Sequence, residues 1–233
     1  MTGALARRFT RLVFGGRCFL CRGAAGDLLC DACDADLPRA RGPRCPRCAL
    51  PSPLGATCGR CLAQPPAYDA TVAALVYAFP ADVLIQALKF RGELALAPRL
   101  GALLAACVPA DERPDALLPV PLAPARLRRR GFNQALEIAR EVAAATGLRL
   151  APGLAERSRD GPPQLDLPLR ERTANVRGAF RVREVPAGAC VALVDDVMTT
   201  GATLHELAAA LKRAGAARVL NWVLARTPPP GDA

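Results

Sequence analysis

At 233 residues, 52% of them hydrophobic, the chain can hold one ordinary domain with its own core plus a small annex. The formal charge is +10; Lys89 and Lys212 are the lysines and arginine supplies the rest of the positive charge. It favours anionic partners, nucleic acid or phosphorylated metabolites, without choosing between them, and an Arg-, Ala- and Pro-rich composition also fits GC-rich coding.

The first residues, "MTGALARRFTRLVFGGRC", contain two adjacent arginines, but the apolar patch Leu12-Val13-Phe14 is too short for the core of an export signal. Leu5, Phe9, Leu12 and Val13 recur at helical spacing and predict a short helix packed on the body. No stretch is long and apolar enough to span a bilayer, so no membrane insertion is expected. Together with the many thiols this makes a cytoplasmic location the expectation.

Eight of the ten cysteines form four CxxC pairs: Cys18/Cys21, Cys30/Cys33, Cys45/Cys48 and Cys58/Cys61. Two thiolates two residues apart can share one tetrahedral ion, so this pattern points to zinc rather than disulfides. The gaps between pairs are eight, eleven and nine residues. Sequential pairing gives Cys18/21/30/33 and Cys45/48/58/61, and interleaved pairing gives Cys18/21/45/48 and Cys30/33/58/61. The near-equal gaps of eight and nine favour the sequential scheme, a duplicated module. Four thiolates per ion leave no open coordination position, so both zincs are structural and supply folding free energy to a segment poor in apolar residues. Eight thiolates with two zinc ions contribute about −4, which weakens the basic signal to about +6. Arg39, Arg41, Arg44 and Arg47 cluster on one knuckle; a solvated basic loop is their default reading, a nucleic-acid face the alternative. Cys107 and Cys190 lie in apolar runs and are expected to be buried packing residues.

The texture changes near Pro66, so residues 1–66 are expected to form the cysteine module, 67–227 an α/β domain and 228–233 a frayed tail. Strands are predicted at 71–79, 116–122, 190–194 and 217–225, with a strand-like run from Asn175 and helices at 81–90, 132–147 and from Thr203 to Gly215. A further helix is expected after Glu93, with a break near Pro98. Strands alternating with helices of this length imply parallel βαβ units.

The most informative stretch is "CVALVDDVMTTGATLHELAAAL", Cys190 to Leu211. An apolar strand ends in Asp195-Asp196, then bulk is given up over small and hydroxyl residues before a helix starts. Free N–H groups at a helix N-terminus point toward any anion placed there. Gly201 lets the backbone approach closely, and Thr199, Thr200 and Thr203 add hydroxyl donors, which suits a phosphate monoester. Carboxylates at the carboxyl end of a parallel strand are poor phosphate partners but good acceptors for sugar hydroxyls. The combination asks for a ribose 5-phosphate.

Val191 to Thr203 resembles, along all thirteen residues, the phosphoribosyl pyrophosphate (PRPP) motif of type I phosphoribosyltransferases. The runs "LPVPLAPARLRRRGFNQALEIA", "LKFRGE" and "QLDLPLRERTANVRGAF", with the cysteine-rich head, are similar to the ComF/GntX (competence protein F) family over nearly the whole chain. The resemblance implies a phosphoribosyltransferase-like parallel sheet flanked by helices, preceded by a double zinc ribbon. It also implies PRPP with Mg2+ as ligand, and roles in natural competence, with single-stranded DNA and components of the DNA-import machinery as partners. Asp195 and Asp196 would be the catalytic acids, and Val197, Met198, Thr199, Thr200, Gly201, Ala202 and Thr203 the phosphate cradle. Arg126, Arg128, Arg129 and Arg130, read as a loop leaving the second strand, would with Gly131 offer guanidinium forks to pyrophosphate. Lys89 is an anion contact or a snorkelling helix-end charge, and Arg157–Thr173 stands where the family has a mobile hood. His205 is expected to be incidental.

Two functions from different classes follow: an enzyme that transfers phosphoribose to an unseen acceptor, and a DNA-handling module that binds PRPP. Trp222, Tyr68, Tyr77 and seven phenylalanines are few for a base-stacking platform, so DNA contacts would be chiefly electrostatic.

Overall fold

A computed structural model describes residues 16–158 and 178–229. The expected amino-terminal helix, the hood from residue 159 to 173, the start of the Asn175 run and residues 230–233 lie outside the described residues.

A four-stranded parallel sheet organises the chain. β1 (Ala70–Val76), β2 (Ala116–Pro119), β5 (Cys190–Met198) and β6 (Arg218–Arg226) lie side by side in the order β1-β6-β5-β2. β5 and β6 are the inner strands and are apolar along nearly their whole length, as strands covered on both faces must be. This corrects one sequence reading: the strand predicted at 190–194 runs past Val194 to Met198, so the two aspartates belong to the strand itself. A separate antiparallel pair, β3 (Ala155–Arg157) and β4 (Phe180–Val182), flanks the carboxyl ends.

α1 (Asp31–Ala35) and α2 (Gly59–Ala63) are the short helices of the cysteine module. Of the longer helices, α3 (Ala81–Arg91), α4 (Ala97–Ala105) and α6 (Gln134–Thr146) cover one face of the sheet, where Leu84, Leu88, Leu100, Leu104 and Ile138 are buried together with Trp222. Each such leucine contributes roughly 1.5–3 kcal/mol by leaving water. Pro98 does not break a helix: it occupies the first turn of α4, where its missing N–H costs nothing. α4 and α6 cross so closely at Gly101 that a Cβ there would come within 2.3 Å of Glu141 Cβ. The opposite face is covered by α7 (Ala202–Arg213), whose Leu204, Leu207 and Leu211 are buried.

The cysteine module straddles the β1 edge. Pro38 O accepts from Val76 N–H (2.7 Å), Ala40 N–H donates to Ala74 O (2.9 Å), and Pro46 O accepts from Thr71 N–H (2.9 Å), so the linker between the two cysteine groups covers a strand edge that would otherwise be open. Phe19, Leu28, Leu29 and Leu37 then pack on the α3/α4 face, while Cys45, Cys48 and Cys61 pack on the α7 face.

Two more expectations are corrected. Arg126–Arg130 are not in a loop: Pro124 opens α5 (Pro124–Arg130), and Gly131, at φ 82°, ends it. Cys107 is exposed beyond the end of α4, and Cys190 is half-buried at the start of β5.

Candidate functional site

Where β5 leaves the sheet, Asp195 to Leu204 form one wall of a cleft; Lys89, Val120–Leu122, Arg126, Arg130, Gln134 and Arg157 complete it. This is the carboxyl end of the parallel strands, where α/β folds place ligands. The turn depends on Gly201, which caps α7 at φ 83°. A Cβ at this position would meet Met198 Cε at 2.7 Å and Tyr68 Oη at 2.8 Å, so no larger residue fits without displacing the loop. Across this junction the N–H groups of Thr199, Thr200 and Gly201 hydrogen-bond to nothing among the described residues, and Ala202 N–H donates to Thr200 Oγ1 (3.2 Å).

The two aspartates are held differently. Asp195 Oδ1 accepts from Asp196 N–H (2.9 Å) and Asp196 Oδ1 accepts from Val197 N–H (2.8 Å), which fixes both side chains. Asp196 is buried, and its Oδ2 is ion-paired with Lys89 Nζ at 3.0 Å but accepts no other hydrogen bond. Burial and then the neighbouring Asp196 charge raise Asp195 well above the ordinary carboxylate value. Burial acts the same way on Asp196, but the Lys89 ammonium outweighs it and holds this carboxyl below its ordinary value. The pair is thus split into one ready anion and one carboxyl that keeps its proton longer, both lining the cleft.

Arg126 and Arg130 are one helical turn apart on α5 and are the two of its arginines that line the cleft. Arg128 and Arg129 project into solvent and Gly131 lies outside the lining. Arg130 Nη1 donates to Gln134 Oε1, and its guanidinium lies over the Phe90 ring, 5.6 Å from the centroid. Two charged or polar cleft residues went unread in the sequence as site residues: Arg157 hides in a three-residue strand and Gln134 in a helix start. His205 has a structural use: its Nδ1 accepts from Ala67 N–H (3.1 Å) and fastens α7 to the chain leaving the cysteine module.

The cysteines group sequentially. The Sγ atoms of Cys18, Cys21, Cys30 and Cys33 lie within 4.8 Å of one another, and so do those of Cys45, Cys48, Cys58 and Cys61, which excludes the interleaved scheme. Cys21–Cys30 and Cys48–Cys58 are each 3.7 Å apart, close to the roughly 3.8 Å edge of a tetrahedron with zinc–sulfur bonds of about 2.3 Å. Burial raises Cys18, but N–H donors from Cys21 and Cys30 outweigh it and lower the thiol to about 6; burial and neighbouring sulfurs push Cys33 up to about 12. Cys45 is lowered in the same way to about 7, while burial and Cys48 push Cys61 up. Four thiols so close cannot all ionise without a cation, so both sets fit structural zinc. Of the four knuckle arginines, Arg39 pairs with Asp34 (2.9 Å), Arg44 donates to Ala49 O (3.0 Å) and Arg47 to Tyr68 O (3.0 Å). Three of the four therefore hold the fold.

Fold and site together define a phosphoribosyltransferase-type domain joined to a zinc ribbon module. A phosphoribosyl transferase domain model matches residues 118–229, and a double zinc ribbon domain model matches residues 9–62. The "DNA utilization protein YhgH" of Salmonella typhimurium is 36% identical over 226 residues, covering 93% of this chain and 99% of that protein. The "Competence protein F" of Haemophilus influenzae is 33% identical over 227 residues, covering 91% and 98%. The chain belongs to this ComF/GntX family. Among solved structures, the allosteric regulatory enzyme of purine biosynthesis is 24% identical with a TM-score of 0.38, over 55% of this chain and 25% of that one. A purine phosphoribosyltransferase from Pyrococcus horikoshii Ot3 is 18% identical with a TM-score of 0.30, over 67% and 78%. Among the described residues no helix is long and apolar enough to cross a membrane.

Proposed function

We propose that the cleft binds PRPP together with Mg2+, and that the protein uses this ligand in handling single-stranded DNA. The 5-phosphate rests on the unpaired amides of Thr199, Thr200 and Gly201 and the hydroxyls of Thr199, Thr200 and Thr203. Asp195 and Asp196 accept the ribose hydroxyls, displacing Lys89 from Asp196 Oδ2. Arg126 and Arg130 face the pyrophosphate, whose charge Mg2+ would help neutralise. The observation that carries this reading is the juxtaposition of three consecutive free N–H groups with a buried carboxylate whose Oδ2 accepts no hydrogen bond beyond its Lys89 ion pair. Phosphate and sugar hydroxyl are the two chemistries that this pair of features recognises.

The relatives' names, "DNA utilization protein" and "Competence protein F", support the DNA role. With three of the four knuckle arginines engaged internally, the exposed Arg128 and Arg129 beside the cleft are well placed to meet a strand backbone. A second reading rests on the acid pair: phosphoribosyl transfer to a base or nucleotide acceptor without a DNA role. As pyrophosphate leaves, C1 gains oxocarbenium character, and the two carboxylates stabilise it electrostatically.

Titration calorimetry on zinc-loaded protein tests the ligand: heat with PRPP and Mg2+ that vanishes in Asp195→Asn/Asp196→Asn is expected. No heat at millimolar PRPP overturns the reading. Affinity for single-stranded DNA that does not fall with rising salt overturns the electrostatic role. Pyrophosphate release that requires an added base or nucleotide and proceeds without DNA selects the transferase.

A further inference from the structure

Arg226 ends β6 in register with Met198 and is buried, with 3% of its surface exposed. No carboxylate lies within ion-pair distance of it among the described residues. Its guanidinium is spent on backbone carbonyls: Nε donates to Cys48 O (2.8 Å), and Nη1 donates to Met198 O (2.9 Å), to Thr199 O and to Thr227 O (2.9 Å). Arg60, on α2 between Cys58 and Cys61, donates its Nη2 to Thr200 O at 3.0 Å. Three consecutive carbonyls of the phosphate loop are therefore held from one side by two guanidinium groups. One of these is anchored to a cysteine knuckle and the other is carried by it.

The peptide unit is planar and trans, so each N–H points opposite to the C=O of the same unit. Holding the carbonyls of Met198, Thr199 and Thr200 toward the second ribbon turns the N–H groups of Thr199, Thr200 and Gly201 the other way. Those are the three amides that bond to nothing among the described residues. Burial of Arg226 opposes its charge, yet a guanidinium stays protonated in proteins, so a fixed cation sits directly behind the loop.

We propose that Arg226 and Arg60 are positioning residues that aim the loop amides at the phosphate, making the second ribbon a working wall of the sugar-phosphate site. This rests on the PRPP reading and names how its loop is set. The second ribbon thereby controls affinity for any ligand whose phosphate uses the loop. Neither arginine touches the ligand.

The test uses the full zinc-loaded chain with Arg60→Ala, Arg60→Lys and Arg226→Lys. Arg60 is exposed, so its removal leaves the fold intact, and Arg226→Lys keeps the buried charge while losing the fork. Calorimetry with ribose 5-phosphate, PRPP–Mg2+ and inorganic pyrophosphate is paired with zinc content and with NMR order parameters of the Thr199, Thr200 and Gly201 amides. Losing one charge-assisted hydrogen bond should weaken both ribose ligands about tenfold in Arg60→Ala, and more in Arg226→Lys. Pyrophosphate binding and zinc content should stay unchanged. The loop order parameters should fall from about 0.85 toward 0.6, with partial recovery in Arg60→Lys. Unchanged order parameters in both Arg60→Ala and Arg226→Lys overturn the proposal, as does an equal loss for pyrophosphate, which would mean a plain charge effect. If the wild-type chain binds no PRPP, the proposed function fails, while the order parameters still decide whether the arginines set the loop.

Discussion

The two ribbons are near copies that have been given different work. Each has two CxxC pairs, and in each the third cysteine caps a five-residue helix with almost the same backbone, Cys30 at φ −74°, ψ 161° and Cys58 at φ −70°, ψ 156°. The first lies on the α3/α4 face, tethered through Asp34 to Arg39 and Arg99. The second lies on the α7 face against the phosphate loop, through Arg60 and Arg226. Equal modules thus become unequal by landing on opposite faces of one sheet, because only one face carries the β5–α7 turn.

The strongest way to break this comparison is to damage each tetrad in turn. Cys61→Ser is expected to abolish PRPP binding, more than 100-fold, whereas Cys33→Ser should lower the melting temperature yet leave the affinity of the remaining folded protein within about threefold. Calorimetry beside metal analysis reads both, with two zinc ions in the wild type and about one in each variant. Equal loss of binding in the two variants would erase the distinction.

Next in size is Gly201→Ala. It forces a left-handed φ on a side chain and drives Cβ into Met198 and Tyr68, so we expect about 2–3 kcal/mol of destabilisation by denaturant titration together with loss of binding. Gly23, in the first ribbon, has a Cβ position 3.4 Å from Cys21 Sγ and no left-handed φ, and Gly23→Ala should cost well under half as much.

The acid pair makes binding depend on pH. Asp195 is raised by burial and by Asp196, so it holds a proton above the ordinary carboxylate range, and that part of stability is lost as pH rises through its folded value. Asp196 is lowered by Lys89 against burial, so its contribution is present above its unfolded value and lost as pH falls through the folded one. In the proposed complex with Mg2+–PRPP both carboxylates would be charged. Affinity should therefore rise with pH through the raised Asp195 titration, and binding should release up to one proton, read as a dependence of calorimetric heat on buffer ionisation enthalpy. The smallest effect belongs to the first ribbon's tether. Asp34→Ala removes partly exposed ion pairs, so about 0.2–1 kcal/mol and no change in affinity are expected in the same two assays.

The legible parts of the molecule are those whose partners are close in the chain. Each cysteine tetrad closes within about 16 residues, and its spacing favoured the sequential scheme that the sulfur positions then selected. Val191–Thr203 is one continuous strand, turn and helix start, so its local structure could be read directly. Which arginine of the Arg126–Arg130 run meets the cleft stayed open in the sequence because a run of like charges hides its phase. Once α5 is a helix, i and i+4 select Arg126 and Arg130 and leave the other two in solvent. Cys107 was read as buried from its apolar neighbours, but α4 ends two residues earlier and the chain turns outward.

By itself, the sequence determined the two cysteine tetrads, the parallel α/β sheet and the glycine turn between β5 and α7. Each is encoded by short-range periodicity, by residue spacing or by local backbone preference. Only the tertiary structure decided which ribbon meets the ligand loop and which charges face the cleft. Arg226 and Cys48 are 178 positions apart, and Arg60 and Thr200 are 140 apart. No local pattern records such pairs, because packing of both ribbons around the β1 edge is what brings them together.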